Sequence, residues 1–234
     1  MGSRIAWSAS RVKNFMQCPK KFYHTSAAPS GHPDRIPFKQ GFAAKAGEDF
    51  HKVMQARLEK KAPLTAGFAQ WEPLALAIEG ATGTTVVEYQ FALTEHFTPC
   101  GTKDWDNVWI RAVPDVMKVT DTAIFIVDWK TGKPDYDQYQ LKLNAAVAFQ
   151  HYPSVQEVVT CYVFTKTGEF SKKEHYKRED LAAIWDELLV EPRKMHENLA
   201  MNHWPARPGH YCGWCEANAA GKCDKASRPY KEYT

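Results

Sequence analysis

Residues 108–133 are VWIRAVPDVMKVTDTAIFIVDWKTGK. Within this stretch, 123–130 carries apolar side chains on both faces of a strand, Ile124 and Ile126 on one, Phe125, Val127 and Trp129 on the other. A strand buried on both faces belongs in the middle of a sheet. It nevertheless ends in Asp128 and Lys130, which are two apart and so share a face. Buried charges need partners or a metal ion. Residues 108–119 predict a neighbouring strand, and a two-residue loop at Asp121 and Thr122 sets the register. Thr120 then pairs with Ala123, and Asp115 lies opposite Asp128, at a Cβ separation of ~4.5–5.5 Å. Carboxylates that close repel unless a cation stands between them. Pro114 fits poorly in a ladder and predicts a bulge or an edge there.

Two aspartates on a rigid sheet form a hard oxygen site suited to Mg²⁺ or Mn²⁺. Such an ion activates a bound water and stabilises charge on a phosphoryl group, and Lys130 can orient that water or offset phosphate charge. Spacing alone equally accommodates an Asp–Lys pair beside a turn aspartate.

Outward from this stretch, 8–24 predicts a helix capped by Ser8 or Ser10, with Val12, Phe15 and Met16 as its apolar stripe. Residues 25–40, with Pro29, Gly31, Pro33 and Pro37, predict a loop. Residues 41–60 predict a helix with Gly47, Phe50, His51, Met54 and Leu58 along one side. Strands are expected at 85–93 and 157–164, a helix at about 137–151, a charged strand or loop at 166–178, and a helix over roughly 180–200 with a kink or restart at Pro192. Strands interleaved with helices give an α/β sandwich around a mixed sheet. Glu88 reads as an ordinary strand residue, with a carboxylate behind the metal site as the alternative.

The 234 residues, 44% hydrophobic and 24% charged, suffice for a packed core. No run approaches the ~18 apolar residues of a membrane span. The start, MGSRIAWSAS, lacks the apolar run of an export signal, so a cytoplasmic location, in a cell or an infected host, is expected. The net charge of +3 says little, but Arg11, Lys13, Lys20 and Lys21, and later Lys172, Lys173, Lys177 and Arg178, form local clusters. These fit phosphate contacts as well as a solvated surface. Of six cysteines, Cys212, Cys215 and Cys223 crowd into twelve residues, a spacing that suits a metal better than disulfides. The fourth ligand that such a site needs is open between Cys18 and His210.

Pro114-Asp115, a short gap and Asp128-Trp129-Lys130-Thr131-Gly132-Lys133 resemble the core signature of the PD-(D/E)xK nucleases. The form IVDWKTGK is most similar to the RecB-like branch, which includes CRISPR-adaptation and phage-type exonucleases. Gly47-x-x-Phe50-His51 resembles that branch's first motif, whose histidine is a metal ligand. Gln140 resembles the Gln of its Q-x-x-x-Y helix motif, although Asn144 stands where the Tyr is expected. Ser8, Ser10, Val12, Phe15, Cys18 and Pro19 resemble its opening signature, and the glycine that often precedes the first Asp is missing.

The resemblance implies a restriction-endonuclease-like α/β core with a mixed sheet flanked by helices. It implies one nuclease domain over 1–234, with a core at about 41–180 and a helical cap from segments 1–24 and 202–234. The implied activity is a Mg²⁺- or Mn²⁺-dependent deoxyribonuclease, an exonuclease on DNA ends or single strands, with an endonuclease or a non-catalytic nucleic-acid-binding module as alternatives. Asp115, Asp128, Lys130 and Gln140 are the implied catalytic residues. His51, Asp115, Asp128 and the Trp129 carbonyl are the implied metal ligands. Expected DNA contacts are Arg11, Lys13, Lys21, Lys133 and Asn144. Cys18-Pro19 matches the upstream cysteine that joins three C-terminal ones around a [4Fe-4S] cluster in the iron–sulfur branch, with zinc as the alternative occupant of Cys18, Cys212, Cys215 and Cys223. Cys161 is expected in the core and Cys100 in a loop. No G-x-x-x-x-G-K-[ST] segment is present, so any motor would be a partner helicase; a recombinase or a CRISPR-adaptation protein are the other partners the resemblance suggests.

Overall fold

A computed structural model describes residues 5–37, 42–132 and 138–231, the side chains of 42–48 excepted. The chain forms two compact units, Met1–Lys39 with Leu189–Thr234, and Gln40–Leu188. The first unit begins with α1 (Ala9–Gln17), α2 (Pro19–Phe22) and a π turn (Tyr23–Ala27). The second contains α3 (Phe42–Lys60), α4 (Glu72–Gly80), β1 (Thr84–Val87), β2 (Phe91–Leu93), β3 (Ile110–Ala112), β4 (Val116–Val119), β5 (Ala123–Lys130), α5 (Tyr139–His151), β6 (Glu157–Phe164), β7 (Glu169–Phe170), β8 (Glu174–Lys177) and α6 (Leu181–Leu188). The chain returns to the first unit with α7 (Val190–Ala200) and α8 (Glu216–Ala219).

The second unit is built on a mixed sheet of order β1-β4-β5-β6-β7, with β8 also pairing β6. β5 and β6 are parallel and their neighbours antiparallel. A parallel pair needs a crossover, and α5 supplies it. Phe50, Met54 and Leu58 of α3, with Trp71, Ala75 and Ile78, bury Val116, Val127, Trp129, Cys161 and Val163. Asp128 alternates with Val127 and Trp129 and so faces away from that core. Arg57, buried on α3, donates to Glu72 (Nε to Oε1, 2.9 Å) and Glu79 (Nη1 to Oε1, 2.6 Å), fastening α3 to α4. α5 buries Leu141 and the run Leu143–Phe149.

The strands at 123–130 and 157–164 form where the hydrophobic runs put them. The two stretches flanking the site do not run through. Residues 85–93 split into β1 and β2, which pair in different sheets, because Glu88 turns the chain with φ 49°. Residues 108–119 split at Val113–Asp115, where Pro114 has no N–H for a ladder. β2 and β3 pair with each other as a separate two-stranded sheet. The helix at 180–200 breaks at Leu189, and Pro192 sits in the first turn of α7, where its missing N–H costs no helical bond.

In the first unit Cys18 is extended (φ −164°), and it separates α1 from α2. Pro19 opens α2 at a position where its fixed φ suits the helix. Phe22 packs on Phe15 and Trp204, and Trp204 stacks on Tyr23, so the two ends of the chain share a small aromatic core. Among the described residues no helix is long and apolar enough to cross a membrane.

Candidate active site

The sheet register assembles the site. Val87 pairs with Val116, and Val116 with Val127. The next residue on each strand therefore falls into one row, Glu88, Asp115 and Asp128, which continues to Tyr162 on β6. The Glu88 N–H donates to the Asp115 carbonyl at 2.9 Å, and the Thr120 N–H to that of Ala123 at 2.9 Å. The loop at Asp121 and Thr122 thus sets the pairing that the sequence suggests. Asp115 and Asp128 are 5% and 1% exposed.

From α3, His51 reaches into this row. Its Nδ1 lies 2.9 Å from Oδ1 of Asp115 and 3.4 Å from Oε1 of Glu88. The ligating atoms of His51, Glu88 and Asp115 all lie within 4.8 Å of one another. Burial opposes charge on His51, but its hydrogen bonds to Asp115 and Glu88 outweigh burial and push its pKa up to about 10. Asp128 is raised by burial first and then by the charge of Asp115, against the pull of Lys130.

Beyond Asp128 the row is closed by β5 and α5. Lys130 donates from Nζ to Oε1 of Gln140 at 2.7 Å, and Gln140 donates from Nε2 to Oδ1 of Asp128 at 2.6 Å. The Lys130 ammonium is 2.7 Å from Oδ2 of Asp128 and 4.7 Å above the Tyr162 ring.

Among the described residues, the ligating atoms that lie within 4.8 Å of one another come from His51, Glu88 and Asp115, while Gln140 and Lys130 hold the oxygens of Asp128. Glu88, expected as an ordinary strand residue, has φ 49° at the end of β1, and its carboxylate lies 3.4 Å from His51. The contact observed at Trp129 is its N–H, which donates to Oδ2 of Asp115 at 2.5 Å. The donor set, one imidazole and two carboxylates, fits a divalent cation. The surroundings of Gly47 lie outside the described residues.

Asn144, one turn after Gln140, is 2% exposed, too buried to meet a polynucleotide at the surface. Lys133 lies outside the described residues. Arg11 donates to the carbonyls of Ala6 and Ser26, Lys21 pairs with Gln17 and Glu216, and Lys13 is exposed.

Within the first unit, Cys18, Cys212, Cys215 and Cys223 line one pocket, together with Lys21, Arg207 and Lys225. Backbone N–H groups of Arg207 and Gly209 donate to the sulfurs of Cys18 and Cys212, each at 3.4 Å. The N–H groups around Cys212 lower its pKa, whereas burial raises that of Cys215. Among the described residues no three thiols come within 4.8 Å of one another, so the four do not form a closed single-ion site as they stand. Cys161 is buried in β6, as expected, and Cys100 is partly exposed.

A mixed sheet flanked by helices, with a row of carboxylates and a lysine crossing its centre, defines a restriction-endonuclease-like α/β protein. Residues 6–220 match the sequence profile of the PD-(D/E)XK nuclease superfamily. The chain belongs to that superfamily, whose members work with divalent metals. No curated protein matches it. Among solved structures it is similar to a candidate exonuclease from Eubacterium rectale, with TM-score 0.52, 13% identity and coverage of 98% of this chain and 90% of that one. It is also similar to SSO0001, with TM-score 0.38, 12% identity and coverage of 96% and 88%. An alkaline exonuclease, LHK-Exo from Laribacter hongkongensis, gives TM-score 0.35, 11% identity and coverage of 84% and 91%. At these identities the likeness is one of fold, and the first of the three is close enough to speak to that.

Proposed function

We propose that the protein is a Mg²⁺- or Mn²⁺-dependent deoxyribonuclease that hydrolyses phosphodiester bonds from DNA ends. The observation that carries this reading is the row Glu88–Asp115–Asp128 with His51 at one end and Lys130 at the other. His51, Glu88 and Asp115 would hold the cation, with the Asp128 carboxylate next to Asp115 in the same row. The bound ion supplies Lewis acidity toward a phosphoryl oxygen and the attacking water. Lys130, held by Gln140 and Asp128, presents its ammonium to the phosphate or orients the water. Gln140 keeps the carboxylate and the ammonium in fixed positions, so little reorganisation accompanies reaction.

The four thiols of the first unit would hold a [4Fe-4S] cluster. Cys18, Cys212, Cys215 and Cys223 line one pocket, and thiolates are the ligands such a cluster takes. The cationic lining suits an anionic cluster. The cluster would be structural, fastening Cys18 to the C-terminal segment.

The test is metal-dependent release of label from end-labelled linear DNA, with a closed circle of the same sequence as control. Loss of the linear substrate with the circle intact supports an exonuclease. Cutting of the circle replaces it with an endonuclease, and no cleavage with either metal overturns the reading.

A further inference from the structure

In the second unit, the sheet face that packs on α3 and α4 is covered at one end only. The strand registers set Thr85, Lys118, Phe125, Val159 and His175 in one row across β1, β4, β5, β6 and β8. The next row on the same face, Val116, Val127 and Cys161, is buried with Phe50, Met54, Trp71 and Ala75. In the first row Thr85, Phe125 and Val159 are partly exposed and His175 is exposed. Asp128 alternates with Val127 along β5, so this row lies on the face opposite to that carboxylate.

Lys118 is the buried member of the open row. It is 6% exposed, and its Nζ donates to Thr85 Oγ1 at 3.0 Å. Lys173 bends over the same face, with its ammonium 5.5 Å from the centre of the Phe125 ring. Burial pushes the Cys161 thiol up, and the charge of Lys173 pulls it the other way, which puts that charge above the sheet. Among the described residues no carboxylate pairs with either ammonium. Glu157, on the same face, is taken by His175 Nδ1 at 2.8 Å. A buried ammonium bonded to a neutral hydroxyl keeps an uncompensated charge, which is costly until an anion pairs with it.

We propose that this open end of the sheet face docks an acidic peptide segment of a partner protein, its carboxylate pairing with Lys118 and Lys173 and an apolar side chain lying on Phe125 and Val159. Charge complementarity selects the occupant. Two ammoniums without carboxylates call for an anion, and the partly exposed Phe125 and Val159 call for an anion that carries apolar groups. The aromatic ring between two cations fits an apolar anchor with an acidic neighbour. The proposal does not rest on the nuclease reading, because the surface lies away from the carboxylate row.

The experiment is fluorescence anisotropy of a fluorescein-labelled peptide of repeated Asp-Asp-Leu in EDTA, for wild type, Lys118→Met/Lys173→Met, Lys173→Arg and Lys173→Glu. The methionine pair keeps the apolar stems and is expected to bind about tenfold more weakly. Lys173→Arg keeps the wild-type affinity, and added salt weakens wild type more than the methionine pair. Circular dichroism checks the fold of each variant, and Lys173→Glu, changed at an exposed position, reads the same loss if the methionine pair does not fold. Equal affinity in wild type and these charge-loss variants overturns the proposal, as does an absence of binding by wild type or equal binding of a Lys-Lys-Leu peptide. Displacement of the peptide by an unlabelled single-stranded oligonucleotide would overturn it in favour of nucleic acid. Because EDTA removes the metal, the result stands apart from the cleavage test.

Discussion

His51 Nδ1 stands 2.9 Å from Oδ1 of Asp115, which ties α3 to the break in the chain just before β4. With Glu88 on its other side, His51 keeps its proton up to about pH 10 in the metal-free protein. A metal ligand must be neutral imidazole. Mn²⁺ binding is therefore expected to release a proton from His51, and affinity to climb with pH through the neutral range. Calorimetry in buffers of different ionisation heat measures the release, which His51→Gln should abolish.

The same protonation acts on folding. The folded pKa of His51 lies above its ordinary 6.5, so its contribution to stability is complete below about pH 6.5 and is lost as pH rises through about 10. Without metal, the melting temperature should fall across that window, and less so in His51→Gln. Thermal melts in EDTA at several pH values check this.

Glu88→Gln keeps the shape of the side chain and removes one ligand charge. Metal affinity should fall about tenfold, because charge count sets affinity at oxygen sites. Metal titration of the variant measures it, and an unchanged affinity would remove Glu88 from the ligand set.

Gln140→Ala frees both Lys130 and Asp128 from the hydrogen bonds that orient them. Activity should drop about 10–100-fold, the usual cost of losing a partner behind a metal-site residue. Gln140→Glu tests the same bridge by replacing the amide donor to Asp128 with a carboxylate oxygen, and a steady-state kinetic comparison of the two variants with wild type reads both.

The contrast between Asp128 and Glu88 shows what the sequence could reveal. Asp128 ends an apolar run long enough to mark a central strand, and the short loop at Asp121 and Thr122 fixes its register against Asp115, so that part of the site is local. Glu88 reaches His51 only because φ 49° ends β1 and sends the chain into a separate hairpin. Nothing in TVVEYQFAL signals that turn, since neither glycine nor proline is present. Pro114 did signal the matching break before Asp115. Asn144 shares a helix face with Gln140 by spacing, yet it sits within the buried run Leu143–Phe149 of α5 and is 2% exposed.

Gly83 has φ +101°, and a Cβ there would lie 2.6 Å from the Val119 carbonyl oxygen. Gly83→Ala should destabilise the protein by more than about 1 kcal/mol through strain at the start of β1. Urea unfolding checks the value.

The cysteines make a separate prediction. Anaerobically purified protein should be coloured and contain iron, and Cys215→Ala should lose both. Colourless protein carrying zinc would replace the cluster with a single-ion site.

The most direct test of the account is to compare wild type with Asp128→Asn in a Mn²⁺-dependent cleavage assay on end-labelled linear DNA, with oligonucleotide binding followed in parallel. The account predicts that the variant binds DNA as wild type does and does not cleave it. Cleavage by Asp128→Asn at the wild-type rate would contradict it, because the carboxylate row would then have no part in the chemistry.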